Sequence, residues 1–132
     1  MTRVVVPVRY PLSKHSRRTM ERAIEVARER DAALTVLHVD LYQRGRTVTR
    51  SELKRAVEAE YGALSNARYV VRPGFLVEET ILEEVAAEGA DVVVIGEKQV
   101  GRWRQAVRRL VGDPDIEAYL REELDAQIVT AD

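Results

Sequence analysis

Short, wholly apolar runs alternate along this chain with longer stretches in which apolar residues recur every three or four positions. Residues 3–8, Arg3-Val4-Val5-Val6-Pro7-Val8, predict a buried strand, with Pro7 near its end where a missing N–H is tolerated. Ser13 can cap a helix over 14–30, on which Met20, Ile24 and Ala27 keep helical spacing. Residues 33–39 predict a second buried strand, and the polar stretch 40–48, with Gly45, a loop. Leu53, Ala56, Val57, Glu60, Tyr61 and Leu64 fit a helix with one mostly apolar stripe. A short strand over 67–71 is expected to stop at Arg72-Pro73-Gly74. Val77, Ile81, Leu82, Val85 and Ala86 predict the next helix, closed by Gly89. Residues 91–95 give the clearest strand of all.

After Gly96 the polar residues Lys98, Gly101, Arg102 and Arg104 predict a loop, and Val107, Leu110 and Val111 a helix interrupted by Gly112. Asp113-Pro114 restarts it, an N-cap followed by a first-turn proline, with Ile116, Tyr119, Leu120 and Leu124 as its stripe. Residues 126–131 predict a last strand. Helices alternating with short apolar strands imply an α/β fold: one doubly wound five-stranded parallel sheet with helices on both faces. Ligands in such folds bind beyond the carboxyl ends of strands, where strand order reverses. The loops after the first and fourth strands are therefore the place to look.

A length of 132 residues implies one domain spanning 1–132. There is no cysteine, hence no thiol nucleophile or disulfide. No apolar run approaches the ~18 residues of a spanning helix, and the first residues do not read as a signal peptide. A cytoplasmic protein with no membrane partner is expected. A net charge of −1 gives the whole molecule no pull toward nucleic acid. All but three of the 21 basic residues are arginine, which fits either genomic base composition or selection for bidentate anion contacts.

Several motifs then fall into an ordered set. Val4-Val5-Val6-Pro7-Val8 is followed by a loop, His15-Ser16 and a helix. Leu37-His38-Val39 ends the second strand. Gly74, Ile81-Leu82 and Gly89-Ala90-Asp91-Val92-Val93-Val94-Ile95-Gly96 follow in turn. Over essentially its whole length the chain resembles the universal stress protein family. The resemblance implies strand order 3-2-1-4-5, a sheet of the adenine-nucleotide α-hydrolase type, a stress-response role without conventional catalysis, and a homodimer through the last strand. It also implies an ATP or AMP site, with Pro7, Val8 and Val39 on the adenine and ribose side. Two features depart from the family pattern. Arg9 stands where family members carry Asp, and the glycine motif becomes Gly96, Gly101, Gly112 with Asp113 in place of Ser or Thr. A degenerate nucleotide site is the expectation they raise.

Arg9, Lys98, Arg102 and Arg104 could instead gather around the cleft and hold a small anion such as phosphate. Against that, Arg9 could pair with Glu97 or Asp113 and close the site. The basic run 98–109 includes one aromatic, Trp103, too few for a nucleic-acid stacking platform; packing is its expected role. His38 reads as a structural histidine, and His15, Ser13 and Ser16 as helix-start residues, so no catalytic residue is assigned. Two lone histidines give no metal site. Gln127, Ile128, Val129 and Thr130 form an uncharged last strand, and such an edge invites pairing with a second copy.

Overall fold

Val4, Val5 and Val6 have no solvent-exposed surface. A strand buried on both faces needs neighbours on both edges as well, since its backbone groups cannot reach water. In the computed structural model, which describes residues 2–45, 47–111, 121 and 124–131, they form β1 (Arg3–Pro7) at the centre of a parallel sheet. β1 pairs on one side with β2 (Ala33–Leu41), which pairs with β3 (Ala67–Gly74). On its other side it pairs with β4 (Val92–Gly96), which pairs with β5 (Gln127–Ala131). The order is β3-β2-β1-β4-β5.

Side chains alternate between the two faces. Val4, Val6, Leu34, Val36, Val92 and Val94 meet Met20, Ala23 and Val26 of α1 (Lys14–Arg30) and Leu53 and Val57 of α2 (Arg50–Tyr61). Val5, Leu37, Val39, Val93 and Ile95 meet Ile81, Leu82 and Val85 of α3 (Val77–Glu88) and Trp103, Ala106 and Val107 of α4 (Val100–Val111). Burying an aromatic of Trp103's size removes roughly 200 Å² from water, worth about 5 kcal/mol. Trp103 therefore fixes α4 against the sheet, as its packing role predicts.

Local chemistry sets the helix ends. The Ser13 hydroxyl accepts from the Ser16 N–H at 3.1 Å. Thr49 and Glu52 form a reciprocal capping box at the start of α2. Gly89 ends α3 in the left-handed region at φ 59°.

Several boundaries differ from the sequence reading: β2 runs to Leu41 rather than Val39, and α2 ends at Tyr61, short of Leu64. β3 continues through Arg72-Pro73-Gly74 rather than stopping there. It is an edge strand, where a proline's missing N–H costs no ladder bond. Gly74 allows the close approach of α3, since a Cβ there would lie 2.2 Å from Thr80 Oγ1. α2 begins at Arg50, ahead of its first apolar residue, because the capping box starts it. Residues 97–104 are not a loop: a 3₁₀ turn over Glu97–Gln99 leads directly into α4. Val100, Trp103 and Val107 share one helical face, and their packing overrides the polar residues between them. The predicted helix restarting at Asp113 lies outside the described residues.

An ionic cluster ties α3 to the first three strands. Glu88 accepts from Thr35 Oγ1 at 2.7 Å and lies 3.1 Å from Arg68 and 3.7 Å from Arg3. Glu84, one turn earlier, meets Arg72 at 3.3 Å and Arg68 at 3.8 Å. Burial, with a hydrogen bond to and the charge of Glu88, pushes the Glu84 carboxyl up to about 7. Burial also pushes Glu88 upward, but hydrogen bonds with Glu84 and Thr35 and the Arg68 charge outweigh it and hold Glu88 low. A protonated Glu84 can thus donate to Glu88, whose buried Oε2 has no hydrogen-bond partner among the described residues. A carboxyl raised on folding contributes stability that is fully present below its unfolded value of 4.5 and is lost as pH rises through about 7. Thermal unfolding followed across that window should show a midpoint falling by a few degrees as pH rises. Glu84→Gln, which keeps a neutral donor, should flatten the slope; an unchanged slope would show that Glu84 is not its source.

Candidate functional site

The strand order reverses between β1 and β4, so the connections leaving them diverge to opposite faces of the sheet. A cavity of about 370 Å³ opens there, at the carboxyl ends of β1, β2 and β4 and against Ala131 at the end of β5. Its apolar lining comes from strand ends and α3: Pro7, Val8, Val39, Leu41, Val77 and Ile81. Its rim is charged. Arg9 follows β1, Arg18 stands in the second turn of α1, Arg44 in the 3₁₀ turn after β2, and Lys98 and Arg102 after β4. Glu78 and Glu97 are the two carboxylates among the described lining residues.

The loop after β1 is held by its own polar groups. Ser16 is buried, and its hydroxyl accepts from the Arg9 N–H at 2.9 Å and from Ser13 Oγ at 3.1 Å. Thr19 Oγ1 donates to the His15 carbonyl at 2.8 Å. His38, 3 % exposed, places Nδ1 3.0 Å from the Val8 carbonyl. A carbonyl only accepts, so Nδ1 carries the proton, and His38 joins β2 to the β1 loop. The Tyr10 ring stands edge-on to it, centroids 6.2 Å apart. On the β4 side the Gly96 N–H donates to the Gln99 side-chain oxygen at 3.2 Å.

The rim cations are unpaired among the described residues. Arg9, Arg18, Arg44, Lys98 and Arg102 are exposed and form no ion pair with any described carboxylate. By contrast Arg17, next to Arg18, holds Glu60 at 2.8 Å, and Arg109 reaches Glu79 at 3.5 Å. A concave apolar surface ringed by exposed guanidinium and ammonium groups focuses positive potential inward and suits an anion with an apolar or planar body.

Six of the predicted site residues, Pro7, Val8, Arg9, Val39, Gly96 and Arg102, line this cavity, as does Lys98. Gly101 is not among its lining residues: it lies exposed in the first turn of α4, its φ unremarkable and its Cβ direction open. Arg104 is exposed elsewhere on that helix and does not line the cavity either. The ion pair proposed between Arg9 and Glu97 does not form. Gly112 and Asp113 lie outside the described residues, as does any Arg9–Asp113 contact. Sequence reasoning missed Arg18 and Arg44. Arg18 could have been found, because the first turns of α1 begin at the same end of the sheet where β1 stops. Arg44 could not, because β2 runs two residues further than its apolar run and carries the next turn to the rim. Among the described residues no three His, Cys, Asp or Glu side chains gather to hold a metal ion, and no helix is long and apolar enough to cross a membrane.

Three solved structures of similar fold are universal stress proteins. One from Lactobacillus plantarum superimposes with a TM-score of 0.60 at 18 % identity, covering 99 % of this chain and 97 % of its own. One from Archaeoglobus fulgidus gives 0.56 at 17 % identity, covering 100 % and 94 %. A third, a universal stress protein in complex with cAMP, gives 0.54 at 20 % identity, covering 97 % and 96 %. No curated protein sequence matches significantly. The sequence model of the universal stress protein family matches residues 1–114. With the strand order and the cleft at its reversal in agreement, the chain belongs to the universal stress protein family.

Proposed function

We propose that this chain is a non-catalytic stress-response regulator of the cytoplasm that binds a nucleotide or another phosphate-bearing ligand in the β1/β4 cleft. The observation that carries this reading is the rim of five exposed cations, unpaired among the described residues, around an apolar cavity. Phosphate would meet Arg9, Arg18, Lys98 or Arg102, while a planar base would lie against Val8, Val39 and Ile81. The similar fold in complex with cAMP supports a ligand of this kind. A binding rather than catalytic role fits the hydroxyls: Ser13 and Ser16 bond each other and the backbone, and among the described residues no histidine is hydrogen-bonded to either.

A second reading, a degenerate site, is favoured by Gln99. Its side chain occupies the Gly96 N–H, a donor that could otherwise face a ligand. A thermal-shift panel with ATP, AMP, cAMP, phosphate and sulfate separates the two. At ~100 Kd a ligand stabilises by about 2.7 kcal/mol, a rise of several degrees in a domain of this size. Nucleotides should raise the midpoint, and Arg9→Ala combined with Arg102→Ala should abolish the rise. An equal rise with every anion would reduce the site to a generic cation cluster, and a flat panel would favour the degenerate site.

We also propose a homodimer through β5. Gln127–Ala131 is an uncharged strand at the sheet edge. The Gln127 N–H donates inward to Asp91, so by the alternation of a parallel ladder Ile128 and Thr130 turn theirs outward. Sedimentation should give a dimer, and Thr130→Pro, which removes an outward N–H, should give a folded monomer. A wild-type chain that sediments as a monomer at all concentrations would refute the interface.

A further inference from the structure

We infer that the cleft takes a polyphosphate ligand in its metal-free form, the rim cations standing in for the divalent ion that such ligands ordinarily carry. This rests on the phosphate-ligand reading above and goes beyond it by naming the ionic form that is bound. Three observations carry it.

The first is charge. Five cations face two carboxylates across the described lining. A bound Mg²⁺ cancels two negative charges on a polyphosphate, and so removes part of what such a rim attracts. The second is donor chemistry. Mg²⁺ at a phosphate site is usually held through one or two carboxylates placed to meet it together with the phosphates, and keeps several waters. Glu78 and Glu97 come from separate elements, α3 and the 3₁₀ turn after β4, and no third acidic or histidine side chain joins them among the described residues. The third is the hydroxyls. Ser16 Oγ already accepts two hydrogen bonds, and Thr19 Oγ1 is turned to the His15 carbonyl. The oxygens nearest the β1 loop are committed to holding that loop, leaving guanidinium and ammonium groups to meet the ligand. Arginine meets phosphate oxygens two at a time, at the positions a metal would otherwise occupy.

Calorimetric titration of the full chain with ATP tests this directly, once with excess EDTA and once with saturating MgCl₂ at matched ionic strength. Binding should be about tenfold tighter in EDTA, the order expected from two charges moved within a partly solvated positive cleft. Arg9→Glu, an exposed position whose side chain makes no described ion pair, should shrink or reverse that preference by adding a carboxylate beside the phosphates. Tighter binding with Mg²⁺ in the wild-type chain would overturn the inference while leaving the ligand reading intact. No heat of binding in either buffer would overturn both.

Discussion

Burial of β1 on both faces and along both edges is the constraint on which the rest depends. Val4, Val5 and Val6 have no route to water, so β2 and β4 must flank them, and α1 and α3–α4 must cover them from opposite sides. Once β1 is central in a parallel sheet, the chain leaving its carboxyl end and the chain leaving β4 have to part. The cavity is the space their parting leaves. The fold thus creates a concave site before any particular side chain gives it chemistry.

Charge distinguishes the two ends of the sheet's outer region. On the β3 side, arginines are spent on carboxylates: Arg3, Arg68 and Arg72 hold Glu83, Glu84 and Glu88 against the sheet. At the cleft, the cations have no such partners among the described residues. Buried ion pairs contribute little net stability but are costly to break, so the α3 cluster acts chiefly to fix where α3 lies. That matters for the site, because Val77 and Ile81 at the other end of α3 form part of its apolar wall. One helix therefore carries a neutralised ionic anchor at its carboxyl end and a ligand-facing surface at its amino end.

The fold was legible because its strands are short apolar runs that only a doubly covered sheet can bury, and Asp91–Ile95 and Arg3–Val8 read that way unaided. What failed was local. Pro73 reads as a strand end, yet an edge strand tolerates it. Gly101 and its arginine neighbours read as a loop, yet the Val100, Trp103, Val107 stripe folds them into α4. The site was legible in its floor, since Pro7, Val8, Val39 and Gly96 are strand ends. It was half legible in its rim. Arg9 and Arg102 adjoin those strand ends in sequence, but Arg18 and Arg44 reach the cleft only through the length of a loop and a strand extension. The pairing state of Arg9 depends on side-chain directions, which periodicity does not encode.

On the function proposed above, a phosphate-bearing ligand enters at the β1/β4 reversal. The most direct measurement is a ¹H–¹⁵N correlation spectrum of the labelled chain recorded with and without ATP. Amide resonances of Val8, Arg9, Ser16, Gly96 and Lys98 should move together with one saturation curve, while those of Arg68 and Leu53, away from the cleft, stay in place. Saturable shifts confined to residues outside the cleft, or none at all, would contradict it.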